Sequence, residues 1–443
     1  MENSKFRVII VGAGPVGLYL AHALSLASIP FIVLEQQSSI TNTGGQLIFT
    51  WPQTVRLLDQ IGLYTDVQKI GVEIYEKKRV FGGDGHVMTS TRFWQDMKDN
   101  HAYPFLLLPR GKLVQILYAN LPEKESRVRA SSKVTNITHH ANGVDVHLQN
   151  GDIEKGSIVI GADGVHSQTR LKMHEMASKL GLDTSMDENS MVASFHGIFG
   201  SASNKELRFP EGIVFESRGS GVVIQCVATP TIVYYVTLKE LDSPITKRIH
   251  YTAVDMERYA EEIGDVALCP GHRFRDLWEY ADKKQARKLN QEEGILKHWS
   301  WGRIVLVGDA AHKTTSVNGL GLTCGLHSAA ALANEITKIG AREREVDIKA
   351  IEKAFKRYQA EREGEARQIW GDGYKIIRDV TSKRWTSRFW DEWVLPWIDI
   401  EKFWDGALVS WLLIRHGQIL GFVPFKGEEG KVSWARTSKS KLE

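Results

Sequence analysis

FRVIIVGAGPVGLYLAHALSLASIPFIVLEQ, residues 6–36, decides the fold. Phe6–Val11 is dominated by β-branched residues, as in a parallel strand buried on both faces. Gly12, Gly14 and Gly17 then form GxGxxG. The first permits a tight turn, the second lets backbone approach a pyrophosphate, and the third lets a helix pack closely on the strand. Leu18, Ala21, Leu24 and Leu26 give that helix an apolar face. Ile29–Leu34 is the second strand. It ends on Glu35, placed to accept from a ribose hydroxyl, followed by Gln36. The pyrophosphate would lie at the helix N-terminus, where free N–H groups point outward, beside Pro15 and Val16. Glu35 argues against a 2′-phosphate, which leaves NAD or FAD open.

Two further strand-and-turn signals follow. IVIGADGVHSQTR (158–170) runs a β-branched strand into Gly161-Ala162-Asp163-Gly164, with Ser167 and Arg170 on the turn or helix beyond. RIVLVGDAAHKTT (303–315) repeats the form with Gly308-Asp309, and a helix is expected after the glycines at 319, 321 and 325. Asp309, at a strand tip, is placed to accept from a sugar hydroxyl.

The 443 residues allow two or three domains. Hydrophobic residues make up 42% and charged residues 25%, an ordinary soluble composition. A net charge of +3 gives no footprint for nucleic acid. Cys226, Cys269 and Cys324 form no CxxC pair and no even set, which suits a reducing compartment and argues against a disulfide framework or a zinc site. The N-terminus reads as a cytoplasmic start, because GAGPVG interrupts the apolar run that a signal peptide needs. No run approaches the roughly 18 apolar residues of a membrane span.

The three segments, in this order and spacing, resemble the FAD-dependent aromatic hydroxylase family, the single-component flavoprotein monooxygenases similar to para-hydroxybenzoate hydroxylase. GAGPVG with Glu35 resembles its ADP-binding fingerprint, GADGVHSQTR its DG motif and GDAAH its GD motif. LLLPRGKLVQILY (106–118) resembles the helix whose arginine, here Arg110, contacts flavin. WPQTVRLLDQIGL (51–63) and LGFVPF (420–425) are most similar to the fungal secondary-metabolite members, which include epoxidases as well as hydroxylases.

The resemblance implies an α/β fold: a Rossmann-like FAD/NAD(P)-binding domain with an inserted β-sheet substrate domain and a C-terminal helical region. The divisions expected are 1–185 for the first part of the FAD domain, 186–294 for the substrate sheet, 295–345 for the GD part and 346–443 for the tail. The stretch 212–238 alternates as an antiparallel sheet should, and 252–294 looks mainly helical and polar. Eight of the 13 tryptophans lie from Trp370 onward. They read as an aromatic helical cap on the FAD domain, with a peripheral membrane contact or an oligomer surface as the alternative.

Implied cofactor contacts are Gly12, Gly14, Pro15, Val16, Gly17, Glu35 and Gln36 in the first segment. Arg110 and Asp163 follow, then Gly308, Asp309, Gly319, Gly321 and Leu322. Asp163 is expected more to support the site than to touch substrate. The implied reaction uses NAD(P)H to reduce FAD, O2 to form a flavin C4a-hydroperoxide, and transfer of one oxygen atom to a small molecule. Epoxidation of a prenyl or terpenoid alkene and hydroxylation of an aromatic, polyketide or indole ring both fit. A flavin dehydrogenase or reductase of the same fold, inserting no oxygen, is the alternative. No catalytic constellation or metal site is visible, as expected where the cofactor carries the chemistry. Tyr234, Tyr235, His196, Arg208 and Arg218 lie in the substrate sheet and are the candidates to steer substrate. Strand parity puts Tyr234 and Tyr235 on opposite faces, so at most one lines a pocket. His312 reads as structural. Where the family usually has proline, this chain has Ser316; where it usually has asparagine, Thr323. Where it often has an acidic residue, this chain has Ser328. The lost proline predicts a more adaptable loop.

Overall fold

Two large sheets pack against a shared core, to which Val8–Val11 of one and Val214 and Val227 of the other contribute. The computed structural model describes residues 6–41, 47–188, 190–340, 346–382, 386, 389, 393–394 and 409–438. Twelve elements position the site: β1 (Val8–Val11), α1 (Pro15–Leu26), β2 (Phe31–Leu34), α2 (Arg110–Ala119), β3 (Ile158–Gly161), α3 (Gln168–Lys179), β4 (Ile213–Arg218), β5 (Val222–Ala228), β6 (Ile232–Ile245), β7 (Ile304–Leu306), α4 (Gly321–Gly340) and α5 (Ile348–Val380).

The first sheet has the order Ser300–Trp301, β7, β3, β1, β2, Val128–Arg129, parallel except at the Ser300–Trp301 edge. β1 sits inside it with all four residues buried, which explains its unbroken aliphatic run. α1 and α4 pack together over this sheet.

The second sheet has eight strands, in the order His312–Lys313, Arg287–Ile295, Val192–Ser203, β6, β5, β4, Glu76–Phe81, Val87–Thr91. It departs from the sequence reading in two places. Residues 76–91, assigned with the first FAD-domain segment, supply two strands here, because Glu76–Phe81 pairs in parallel with β4. Lys77 and Arg79 reach Glu216 across that pairing, which fixes their side. The stretch 252–294, expected to be mainly helical, holds helices Ala253–Glu262 and Phe274–Glu279, but Arg287–Ile295 is a strand paired with Val192–Ser203.

The eight-stranded sheet has two different faces. Ile224, Cys226 and Tyr235 point outward into a core with Tyr259, Phe274 and Trp278. Val214 and Val227 point the other way, into the core of the nucleotide-binding half. Phe195, Val223 and Leu238 meet Val317, Ile377 and Val380 on that inner side.

α5 runs 33 residues along the junction. Beyond it, Trp385, Trp390, Trp397 and Trp404 lie outside the described residues. The tail expected to be helical is so only in part: after the turn Ile414–His416, residues 417–438 carry no helix. Four glycines and Pro424 in HGQILGFVPFKGEEG account for that. Trp434 returns to the first half, with the Arg56 guanidinium 4.4 Å from its ring and His101 at 5.0 Å. Trp393 and Trp411 are exposed.

Candidate active site

The turn after β1 is built by close approach. A Cβ on Gly12, which has φ of +105°, would lie 2.6 Å from Ala162 O; one on Gly17 would lie 2.0 Å from Gly12 O. Both positions therefore require glycine. Ala13 N–H and Gln37 N–H donate to the two oxygens of Glu35, at 2.8 and 2.9 Å, so this carboxylate closes the turn from the tip of β2. Pro15 opens α1, and among the described residues no side chain caps its N-terminus. Unbonded N–H groups at a helix start attract an anion.

The distant motifs converge on the same turn. The Arg110 guanidinium, from the first residue of α2, lies 3.7 Å from where a Gly14 Cβ would be. Burial lowers its pKa, while Asp309 and Glu35 oppose that shift. Arg110 thus stands between the acids of the first and third motifs. Val16 lies against the third motif and the helix that follows it: a Cβ on Gly308 would meet it at 3.2 Å, and one on Gly325 at 2.7 Å.

Asp163 is committed locally. Its carboxylate accepts from Ser167 Oγ at 2.5 Å and from Thr169 N and Oγ1 at 3.0 Å, holding the start of α3. Burial raises its pKa against those bonds. Arg170 donates to Val165 O and to Ala310 O, tying the second motif to the third. Asp309 is partly exposed and pairs with Lys313 at 2.6 Å.

The loop expected to be adaptable is tied on several sides. Ser316 N–H donates to Gln291 Oε1 at 3.3 Å, and Leu320 N–H to Asn318 Oδ1 at 3.2 Å. Thr315 Oγ1 donates to Gly373 O of α5 at 3.5 Å. Gly319, with φ of +66°, sits where a Cβ would lie 2.7 Å from Phe49. Gly321 and Leu322 begin α4.

Beneath that loop lies a buried polar cluster. His312 Nε2 meets Ser328 Oγ at 2.9 Å and its Nδ1 meets Cys324 Sγ at 3.4 Å. Arg362, fully buried on α5, donates to Glu365 at 2.5 Å and to Ser328 Oγ at 3.4 Å. Burial, aided by Arg362, brings His312 down to about 4, so it is neutral near pH 7. Ser328 therefore serves as a neutral bridge.

Sequence reasoning placed the sheet candidates less well. Tyr235 points into the outer core, where its ring lies 5.8 Å from Phe274. His196 also faces outward, beside Tyr259 at 5.1 Å and Tyr251 at 6.1 Å. Arg208 is exposed at the C-terminal end of a short helix, Asn204–Leu207. These three fall away from the junction because strand alternation and the helical connection turn them outward. Tyr234 faces inward and packs against the nucleotide-binding core.

The inner face carries an ionic group of which the sequence reading named only Arg218. Glu216 is 3% exposed and meets Lys77 Nζ at 2.8 Å and Arg79 Nε at 3.8 Å. Burial alone would raise its pKa, but Lys77, Arg79 and Arg218 bring it to about 2. Gln225 Nε2 donates to Glu216 Oε2 at 2.8 Å and to Val317 O at 3.2 Å. Arg218 pairs with Asp379 of α5 at 2.8 Å. The detectable signal was a stripe of polar residues, 216, 218 and 225, in strands otherwise rich in valine and isoleucine.

Residues 5–370 match the FAD binding domain family. The chain belongs to this family. It is 52% identical over 442 residues to the FAD-dependent monooxygenase srdH of Neurospora crassa, covering 97% of this chain and 99% of that protein. It is 32% identical to the FAD-dependent monooxygenase ausM of Penicillium brasilianum, over 82% of this chain and 76% of that one. The fold is shared with Klebsiella pneumoniae HpxO complexed with FAD and uric acid, at 20% identity and a TM-score of 0.70, covering 86% and 90% of the two chains. This flavin monooxygenase chain is therefore of the fungal FAD-dependent type. Its residues fit the cofactor: the glycine cradle leaves no room for a Cβ at Gly12 or Gly17, and an uncapped helix start faces Arg110. Among the described residues no helix is long and apolar enough to cross a membrane.

Proposed function

We propose that this chain is an NAD(P)H-dependent FAD monooxygenase that places one atom of O2 into an intermediate of fungal secondary metabolism. The product is a hydroxylated ring or an epoxidised alkene. The observation that carries the reading is the meeting of Gly14, Arg110, Glu35 and Asp309 at one helix start. When bound, FAD supplies the oxygen-transfer chemistry.

The chain's own residues supply grip, orientation and dryness. Gly14, Val16 and Gly17 would hold the pyrophosphate through backbone N–H groups at the start of α1. Gly12, whose own N–H donates to Leu34 O, shapes the turn, and Pro15, which has no N–H, sets the helix start. Glu35, already closing its turn, offers remaining lone pairs to a ribose hydroxyl, with Gln36 beside it. Arg110 balances the phosphate charge, and Asp309 accepts from the ribityl chain. Gly308 lets that turn lie against Val16. Asp163 acts by holding the start of α3 rather than by touching the cofactor. Gly321 and Leu322 would present backbone N–H groups at the start of α4, where the helix dipole would favour negative charge on the bound cofactor. Gly319, whose N–H donates to Ser316 O at 3.1 Å, forms the turn leading into that helix. The inner face of the eight-stranded sheet, where Val317 packs on Phe195, Val223 and Leu238, would supply a dry cover for a substrate.

The test is direct. Purified protein should be yellow and should consume NAD(P)H with a substrate drawn from a fungal metabolite panel. Under labelled O2 the product should gain one heavy oxygen atom. Turnover without label incorporation would move the chain to the dehydrogenase or reductase alternative.

A further inference from the structure

The inner face of the eight-stranded sheet presents one amide whose orientation is dictated by its neighbours. Gln225 is 8% exposed, on β5, opposite Glu216 of β4. Glu216 is ionised, with Lys77 and Arg79 beside it, and so it only accepts. Val317 O, from the turn after the GD motif, also only accepts. Both lie within hydrogen-bond distance of Gln225 Nε2. The nitrogen must face them, so the amide has one permitted flip.

That flip uses both amide hydrogens and leaves Oε1 over. Oε1 is buried and, among the described residues, meets no donor. Ser316 Oγ, on the adjoining turn, is likewise buried without a partner among those residues. A buried acceptor without a donor is unfavourable, and a site of this kind selects for whatever fills it. Beside the ionic group of Glu216, Lys77, Arg79 and Arg218, this face carries aliphatic side chains: Val223 beside Val317, and Val227 toward the nucleotide-binding core. Each strand alternates, so Cys226 and Ile224 are turned to the opposite core and cannot serve.

We propose that Gln225 Oε1 accepts a hydrogen bond from substrate, and that the substrate is therefore a ring bearing a hydroxyl or N–H donor rather than a plain hydrocarbon chain at that point. The inference rests on the monooxygenase reading, and it narrows that reading to phenols, enols and indole-type heterocycles. Glu216, Lys77 and Arg79 are positioning residues: they hold the amide, and Gln225 alone meets the substrate.

The test uses the FAD-loaded full chain and two matched pairs, 2-naphthol against naphthalene and indole against indene. Binding is read from the change in flavin absorbance. Wild-type protein should bind each donor-bearing member at least tenfold more tightly than its hydrocarbon partner. In Gln225→Met, of similar volume, that preference should disappear while the bound FAD per chain stays the same. Equal binding within each pair, no flavin response to either donor-bearing probe, or a preference that survives in Gln225→Met would each overturn the proposal. The wild-type comparison stands even where the variant does not fold. FAD content and label incorporation from O2 report on the monooxygenase reading separately, so the two cannot fail unnoticed together.

Discussion

The two sheets are read by different rules. In the six-stranded half, function is carried by backbone, and backbone demands leave local marks: glycine where a Cβ would collide, proline at a helix start, an acid at a strand tip. In the eight-stranded half, the buried polar groups are side chains whose partners come from remote strands. Glu216 meets Lys77 and Arg79 across a parallel pairing that joins segments about 140 residues apart. Spacing along the chain announces the first kind of site and is silent on the second.

The largest effect should come from filling the backbone cradle. Gly17→Val places a branched side chain where even a Cβ lies 2.0 Å from Gly12 O. A cost above about 4 kcal/mol is expected from such overpacking. The protein should emerge without FAD, or insoluble. Yellow, stable Gly17→Val would mean that the six-stranded half is not governed by close approach.

Next comes the ionic group of the other sheet. Glu216→Ala leaves Lys77 and Arg79 facing each other in a buried setting. Breaking a pair of this kind costs about 3–5 kcal/mol. Chemical denaturation should show that loss, and the molecules that remain folded should keep full FAD content. If FAD were lost in parallel with stability, the two halves would not be separable in the way drawn here.

A pH series separates the halves by charge. His312 is held at about 4 by burial, below the ordinary 6.5. The unfolded chain binds a proton that the folded chain refuses between those values. The stability is therefore complete above about 6.5 and falls as pH drops toward 4, by up to about 3 kcal/mol for one such group. His312→Gln should flatten part of that slope in urea titrations at pH 4.5 and 7. An unchanged slope would show that His312 is not kept neutral by its cluster.

The smallest effect is expected at Tyr235. Its hydroxyl is buried in the outer core and, among the described residues, has no hydrogen-bond partner. Tyr235→Phe should change stability by less than about 1 kcal/mol and leave substrate turnover unaltered. A drop in kcat would return Tyr235 to the list of residues that touch substrate.

How much was legible follows from the same contrast. Gly12, Gly17 and Gly319 were readable because each occupies a position that only glycine fits. Arg110 was reachable through resemblance, since nothing in PRGKLV by itself says that it ends beside Gly14. Parity separated Tyr234 from Tyr235, but parity cannot say which face is the inner one. That depends on which side Val317 and the nucleotide-binding core approach, a long-range fact. His196 and Arg208 were proposed for their chemistry alone and proved to face elsewhere. The loop at Ser316 was expected to be loose for want of proline. Its N–H, which proline would lack, is one of the bonds that tie it down.

One methyl-bearing side chain links the beginning of the chain to its later part. Val16 packs on Gly308 and Gly325, so the cradle for the cofactor is unfinished until residue 325 has left the ribosome. At about 5–20 residues per second, the interval between making Val16 and making Gly325 is about 15–60 s. Throughout that time the glycine turn exists without its far wall. Cofactor capture is thus a late event in the life of each new chain, and FAD supplied only at the end of synthesis should serve as well as FAD present from the start.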